Sequence, residues 1–314
     1  MDPIMWLALG GLILLYTLQS LLTKLYTDKY PGDGDVASSV LTVVSGVVVV
    51  VVTFFFFSGM QFTFNVWSLF IGAANAAALF LYNFFLVKSS QKGPYSVIMM
   101  FNLSGGIIIP VIAALIMGWD TSWGTPFRII LNLASISSII LAVYLASKKD
   151  GAEEKKITPS FILSCFGLAI ANGTYGIMLT LQQQTAAAGG EANRDEMIIA
   201  TFFFAAVISV VVGLVKQGGG FLRSIANQNK LSLIYLIGTS IVFALAVNVI
   251  VILIPHFDTT ILYTLDNASV LIMSALCSCI FFGEKLSPKN IIGISVMVAA
   301  LVSMNLLPSL FPHL

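Results

Sequence analysis

The chain has 314 residues, of which 58% are hydrophobic and 9% charged, and its mean hydropathy is +0.98. Soluble globular proteins carry roughly 25% charged residues, so this composition cannot cover a water-facing surface and excludes a soluble fold. The formal net charge of +1 also argues against nucleic acid as a partner, because nucleic-acid binding requires Lys and Arg clustered on one surface.

Long apolar runs recur along the whole chain. A transmembrane helix needs about 20 mainly apolar residues, and ten such runs occur, separated by loops too short to hold a soluble domain. The runs are continuously apolar, whereas membrane β-strands alternate polar and apolar residues. The sequence therefore predicts an all-α polytopic membrane protein with about ten transmembrane helices. The predicted spans are residues 3–26, 36–58, 65–87, 94–117, 125–147, 158–181, 195–216, 231–254, 259–282 and 288–307.

The basic residues are distributed unevenly between the two sides of this predicted bundle. Thirteen of the fifteen Lys and Arg residues lie in or beside the loops after the first, third, fifth, seventh and ninth spans, and only Arg128 and Arg194 lie on the other side. Because cytoplasmic loops carry the excess of Lys and Arg, the bias predicts that both termini lie outside. With no long tail or organelle address, we expect a multi-pass protein of a plasma membrane of the bacterial type.

The Lys-rich segment 148–156 divides the chain into two groups of five spans. A unit with an odd number of spans must cross the membrane in opposite directions in its two copies, and inverted repeats are typical of carriers that work by alternating access. We therefore predict two inverted five-helix repeats, 1–152 and 153–314. An offset of 165 residues supports them by pairing Asn83 with Asn248, Asn102 with Asn267, Ser104 with Ser269 and Gly118 with Gly283.

The end of the ninth span reads Phe281-Phe282-Gly283-Glu284-Lys285-Leu286-Ser287 and leads into a Gly-containing final helix. With the two groups of five spans, it resembles the drug/metabolite transporter superfamily of the EamA type, in which the fourth helix of each repeat typically ends in a Gly-Glu-basic-Leu turn. The first half departs from this pattern, since its turn reads Gly118-Trp119-Asp120-Thr121. The resemblance implies a secondary carrier for small metabolites, and it implies cytoplasmic termini, opposite to the charge bias.

One acidic residue lies deep within a predicted span. Asp266 is about two turns into the ninth span, roughly 10 Å from its start at 1.5 Å per residue. Charged residues at such depth are costly and usually functional, and three roles stay open: proton coupling, binding of a cationic group of the solute, or a structural hydrogen bond. Tyr263, Asn267, Val270 and Ser274 share one helical stripe with Asp266, which we expect to face the bundle interior.

Polar residues on other spans are expected to complete a central site. The first and sixth spans each present a polar face, and several Asn residues lie within spans, where they serve equally well as hydrogen-bonding links between helices. No Lys or Arg lies in the middle of a span, so the sequence disfavours a phosphorylated solute. The predicted solute-binding residues are Tyr16, Gln19, Asn83, Asn102, Asn172, Tyr175, Asn248, Tyr263 and Asn267, with Asp266 for proton or cation coupling.

The sequence gives no sign of catalysis. It contains no H-E-x-x-H or G-x-S-x-G motif, and its histidines, His256 and His313, lie near span ends. We therefore expect no enzyme, no cofactor and no metal. The predicted function is secondary active transport of a small neutral, zwitterionic or cationic metabolite by alternating access, with the solute and the lipid bilayer as partners and with coupling to protons left open. A homodimer stays open, as do a channel, a non-transporting membrane receptor and an intramembrane enzyme as alternatives.

Overall fold

The computed structural model describes residues 3–117, 125–146, 158–187, 189–226, 228–253, 256–257 and 259–310. These residues are almost entirely helical and contain no β-strand. The second helix continues without a break into a π-helical turn, Thr53–Phe57. The helices are α1 (Pro3–Lys29), α2 (Gly34–Val52), α3 (Val66–Ser90), α4 (Tyr95–Met117), α5 (Pro126–Ala146), α6 (Pro159–Ala187), α7 (Arg194–Gln217), α8 (Gly220–Ala226), α9 (Lys230–Leu253), α10 (Thr259–Phe282) and α11 (Pro288–Leu310).

Most of these helices have the length and composition of transmembrane segments. Within the described ranges, nine are long and apolar enough to cross a bilayer, and α11 contributes a shorter apolar stretch, Pro288–Met304. Large apolar side chains also cover the outside of the bundle, as at Leu7, Val215 and Ile280, which are each more than 70% exposed. Such a surface is suited to lipid and not to water. The prediction of an all-α polytopic membrane protein is confirmed.

The segment from Val47 to Phe57 consists of Val, Thr and Phe, which favour β-strands in water. It is nevertheless helical over its whole length. In hydrocarbon an isolated strand would leave its backbone N–H and C=O groups without partners, whereas a helix satisfies them internally. The lipid environment therefore overrides the intrinsic preference of these residues.

Helices from the two halves of the chain interdigitate. α1 packs on α9, and α6 packs on α3 and α4; α2 packs on α7 and α5 on α11. Small residues allow close approach, since a Cβ atom added to Gly105 of α4 would lie 2.1 Å from the carbonyl oxygen of Ala169 of α6. α4 runs unbroken through Gly105, Gly106 and Pro110, so these residues act as a packing contact and do not interrupt the helix.

The two ends of the bundle are joined by different contacts. Loops 30–33, 91–94 and 283–287 share one end with α8 and residues 228–229, and we call this end the basic side. Asn229, for example, donates a hydrogen bond to the carbonyl oxygen of Lys29 there at 2.8 Å. Loops 58–65 and 189–193 share the other end, which we call the opposite side.

Candidate functional site

A cavity of about 140 Å³ lies at the centre of the bundle, between α1, α3, α4, α6, α9 and α10. Tyr16, which lines it, is at the midpoint of α1, so the cavity lies about halfway along this membrane-spanning helix. Both halves of the chain contribute to its wall. The predicted site residues that line it are Tyr16, Gln19, Asn102, Asn172, Tyr175, Asp266 and Asn267.

One wall is built where α4, α6 and α3 meet. The Asn172 side-chain amide of α6 donates a hydrogen bond to the backbone oxygen of Asn102 at 2.8 Å. The Asn102 amide donates in turn to the hydroxyl of Tyr82 on α3, over a longer distance of 3.5 Å. The close approach of Gly105 to Ala169 brings the two asparagines within reach of each other. The Asn102 side-chain oxygen has no hydrogen-bond partner among the described residues.

Asp266 supplies the acid of the site from α10. Its side chain lines the cavity and is only 6% exposed. Its Oδ1 atom has no hydrogen-bond partner within the part of the chain that the structure describes. None of the other described residues lining the cavity is charged. A buried carboxylate of this kind requires a proton or a cation as its partner, because an isolated charge in a medium of low dielectric constant is strongly disfavoured.

The rest of the wall is aromatic and apolar. Tyr82, Phe243, Leu79 and Met99 line the cavity beside the polar residues. Tyr82 carries a polar group that sequence reasoning can recognise, but the apolar residues have no signal that separates them from core or lipid-facing positions. Only the packing of the helices identifies them.

Two predicted site residues lie away from the described lining of the cavity, and the side chain of a third is not described. Asn83 donates to the hydroxyl of Thr42 at 3.1 Å, which joins α3 to α2. Asn248 of α9 donates to the hydroxyl of Thr53 at 2.9 Å, at the start of the π-helical turn. Both asparagines thus make the hydrogen-bonding link between helices that was their alternative role. Tyr263 belongs to α10, and its side chain lies outside the described residues.

Hydrogen bonds close the cavity on the basic side. The hydroxyl groups of Ser20 on α1 and Tyr95 on α4 are 2.5 Å apart. The Glu284 carboxylate, just after α10, accepts hydrogen bonds from the backbone N–H groups of Tyr95 at 2.5 Å and of Ser96 at 3.2 Å. Residues 95–105 of α4 are all buried. The short turn recognised in the sequence by its Gly-Glu-Lys-Leu pattern therefore holds the beginning of α4.

Lys24 strengthens the same closure. It is buried, with 1% of its surface exposed, although it was counted with the loop cations in the charge bias. Its ammonium group donates to Asp28 at 2.9 Å and to the backbone oxygen of Ser90 at the end of α3. We call Ser20, Lys24, Ser90, Tyr95 and Glu284 the basic-side cluster. It ties α1, α3, α4 and α10 together beyond the cavity.

The opposite side is held by an acidic residue at the start of α7. The buried Glu196 carboxylate accepts hydrogen bonds from the Thr63 hydroxyl and the Asn65 N–H, both at 2.6 Å, and from the Thr63 N–H. These contacts fix a loop in which Met60 and Phe64 have φ angles of 63° and 57°. Residues other than glycine rarely adopt such values.

α4 and α6 differ in burial beside the cavity. Every residue of α6 from 174 to 181 is half-buried, in contrast to the fully buried segment 95–105 of α4. Direct polar contacts nevertheless join helices on both sides, since on the opposite side the Gln182 amide of α6 donates to the Ser68 hydroxyl of α3 at 2.8 Å.

No family model matches the sequence, and no curated protein matches it either. A solved structure, described only as "Crystal structure of protein", is similar in fold over 99% of this chain and 99% of that chain, with a TM-score of 0.56 and 13% sequence identity. An identity this low shows the fold alone. The chain is thus similar to a protein of known structure over nearly its whole length, while its function has to be inferred from its own site.

Proposed function

We propose that the protein is a secondary active transporter that moves a small neutral, zwitterionic or cationic solute across the membrane by alternating access. The observation that carries the proposal is the central cavity, which is lined by polar side chains from both halves of the chain and contains the buried Asp266. Polar and ionisable groups at this depth are costly and mark solute or ion pathways in membrane proteins. Solute sites of secondary transporters lie near the bilayer midplane in the same way.

The pairing of the helices supports two inverted five-helix repeats, 1–152 and 153–314. The repeats pair α1 with α6, α2 with α7, α3 with α9, α4 with α10 and α5 with α11. Under this pairing, the contact of α1 with α9 corresponds to that of α6 with α3. The contact of α3 with α7 corresponds to that of α9 with α2, and all four contacts are present. α2 packs on its own counterpart α7, and α5 on α11, as expected at a two-fold axis. The boundary at 152 lies outside the described residues.

The repeat also relates residues of the cavity. Asn102 and Asn267, which the offset of 165 residues pairs, both line it. Inverted halves around a shared site can rock against each other, which exposes the site to each side in turn. This arrangement supports membership of the drug/metabolite transporter superfamily of the EamA type, which we propose on the resemblance of the segment 281–287.

The contacts at the two ends of the bundle favour a carrier over a channel. A channel needs a continuous path, whereas the basic-side cluster closes the cavity through hydrogen bonds that join α1 to α4, α1 to α3, and the segment after α10 to α4. In an alternating-access cycle these contacts break when the cavity opens to the basic side and form again when it opens to the other. We propose a non-enzymatic carrier of a bacterial-type plasma membrane, in which Asp266 couples transport to a proton or binds a cationic group of the solute.

The proposal is tested by a proteoliposome screen of amino acids, sugars and organic cations, with and without an imposed pH gradient. The wild type is compared with Asp266→Asn, and Asp33→Asn provides a matched control because Asp33 is an exposed helix cap outside the cavity. Saturable uptake of a solute by the wild type and the control supports the carrier, and uptake that is driven by the pH gradient in the wild type and lost in Asp266→Asn supports coupling through Asp266. Failure of every solute to enter in a saturable manner contradicts the carrier.

A further inference from the structure

Two residues that line the cavity have buried side-chain oxygens that lack hydrogen-bond donors. Asp266 Oδ1 and Asn102 Oδ1 both have no hydrogen-bond partner among the described residues, and the two side chains are 6% and 5% exposed. Buried polar atoms of folded proteins are nearly always hydrogen-bonded, and an unpartnered one commonly marks a place for a ligand or an ion. Both unpartnered atoms in this wall are oxygens of acceptor type. The missing ligand group should therefore be a donor.

Two amide donors of the wall and the buried cation nearest to it have other acceptors. The Asn172 amide donates to the Asn102 backbone oxygen, and the Asn102 amide donates to the Tyr82 hydroxyl. The buried cation nearest along α1, Lys24, donates to Asp28 and to the Ser90 backbone oxygen in the basic-side cluster. No Lys or Arg is among the described residues lining the cavity. A positive charge that compensates Asp266 must therefore come from outside the chain.

Size and shape restrict the compensating group further. A cavity of about 150 Å³ in another protein holds one benzene molecule, and the cavity here measures about 140 Å³. Aromatic side chains surround it, including Tyr16, Tyr175 and Phe243. Aromatic rings attract organic cations through their faces, and apolar residues such as Leu79 suit a hydrocarbon chain. A bare metal ion would leave these surfaces without a function.

We infer that the cavity binds a small primary or secondary ammonium ion, whose N–H groups donate to Asp266 and Asn102 and whose hydrocarbon part contacts the aromatic wall. The inference rests on the proposed carrier function for its role, since the bound ammonium is then the transported solute. A quaternary ammonium carries the charge but lacks the N–H donors, and an alcohol of equal chain length has a donor but lacks the charge. These two differences make the inference testable with three simple probes.

The experiment measures binding of n-butylammonium, tetramethylammonium and butan-1-ol to the purified full-length protein in uncharged maltoside micelles, by isothermal titration calorimetry. Butylammonium and tetramethylammonium have the same number of carbon atoms and the same charge. We expect butylammonium to bind about tenfold or more tightly than either of the other probes, because a charge-assisted hydrogen bond contributes about that much to affinity. Equal binding of butylammonium and butan-1-ol, or no specific binding of butylammonium, overturns the inference.

Variants assign the binding to the two oxygens. Asp266→Asn is expected to weaken butylammonium binding by about tenfold to one-hundredfold, and Asn102→Ala by about threefold to tenfold. The control Asp33→Asn should bind as the wild type does. Thermal unfolding of each variant shows that it is folded. If Asp266→Asn binds butylammonium as tightly as the wild type, the inference is wrong.

Binding and transport fail in different ways. Ammonium binding that depends on Asp266, without movement of any solute into proteoliposomes, supports the ligand assignment and contradicts the carrier. Saturable uptake of a neutral solute by a protein that binds no butylammonium supports the carrier and overturns the ligand assignment. The two assays together therefore separate the inference from the proposed function.

Discussion

The hydroxyl groups of Ser20 and Tyr95 lie 2.5 Å apart and join the middle of α1 to the first turn of α4. Ser20 also lines the cavity, so this hydrogen bond forms part of its floor on the basic side. The backbone N–H of Tyr95 is bound at the same time by the Glu284 carboxylate. One buried tyrosine thus connects three helices that must separate if the cavity is to open to the basic side.

Replacement of this tyrosine should shift the protein toward a state open on the basic side. Tyr95→Phe removes the hydroxyl, while Ser20 keeps its hydrogen bond to the Thr17 backbone oxygen at 3.0 Å. One hydrogen bond is worth about 1 kcal/mol, which changes a two-state equilibrium by roughly fivefold. We expect Leu103→Cys, in a background without the three native cysteines, to react several-fold faster with a membrane-impermeant thiol reagent applied from the basic side.

The matched control for this labelling is Tyr144→Phe, because Tyr144 is an exposed residue of α5 away from the cavity. Labelling of Leu103→Cys should be the same in the control as in the parent. A Tyr95→Phe protein that is folded and labels no faster than the parent would show that the basic-side cluster does not regulate access.

Glu196 should stabilise the fold through the loop before α3. Glu196→Ala removes the acceptor of the Thr63 hydroxyl and of the Thr63 and Asn65 N–H groups, and a hydrogen bond to a charged group contributes about 1.5–3 kcal/mol. We expect the free energy of unfolding in mixed micelles to fall by about 2 kcal/mol or more. Glu196→Gln keeps one acceptor oxygen and should lose less. Glu191→Gln, at an exposed position of the preceding loop, should have no effect, and an equal loss in all three variants would refute the assignment.

Gly105 should be intolerant of a methyl group. The Cβ atom of Gly105→Ala would lie 2.1 Å from the Ala169 carbonyl oxygen, which belongs to the backbone and cannot move aside cheaply. Overpacking of this kind costs about 1–3 kcal/mol, so the free energy of unfolding should decrease. Gly10→Ala is the control, since a Cβ there meets no atom within 4 Å and alanine favours the helix. Stability that is unchanged in Gly105→Ala would show that α4 and α6 do not pack as closely as described.

Substitution of Asn102 should affect solute binding, whereas substitution of Asn83 should affect helix packing. Asn102 lines the cavity, whereas Asn83 donates to Thr42 between α3 and α2. We expect Asn102→Ala to change the apparent affinity for the transported solute, and Asn83→Ala to leave it unchanged while lowering the free energy of unfolding by about 1 kcal/mol. Uptake kinetics and unfolding in the same micelles measure both quantities. An altered solute affinity in Asn83→Ala would contradict the separation.

The membrane-spanning helices could be predicted from the sequence because lipid imposes one requirement on every span: each must be apolar and satisfy its own backbone. The spacing of polar residues also predicted which of them share a helix face. Asn172 and Tyr175 on α6, and Asp266 and Asn267 on α10, were placed on inward faces by spacing alone, and all four line the cavity.

Two features of the structure could not be predicted from the spacing of residues in the sequence. Asn83 and Asn102 are equivalent by depth and composition, and only the rotation of α3 and α4 against their neighbours decides which one lines the cavity. The contact between Lys24 and the Ser90 backbone oxygen joins positions 66 residues apart. Since a backbone oxygen carries no sequence signal, the burial of Lys24 could not be anticipated from its place among the loop cations.

The measurement that tests the central claim most directly is counterflow. Proteoliposomes are loaded with an excess of an unlabelled solute from the screen and diluted into a trace of the same solute in labelled form. In a carrier, the excess of unlabelled solute occupies the inward-facing site, so little labelled solute is carried back out. Labelled solute should therefore accumulate transiently inside the vesicles above its outside concentration, and Asp33→Asn should behave identically. Labelled solute that only equilibrates, without transient accumulation, would show an open path through the bundle and contradict alternating access.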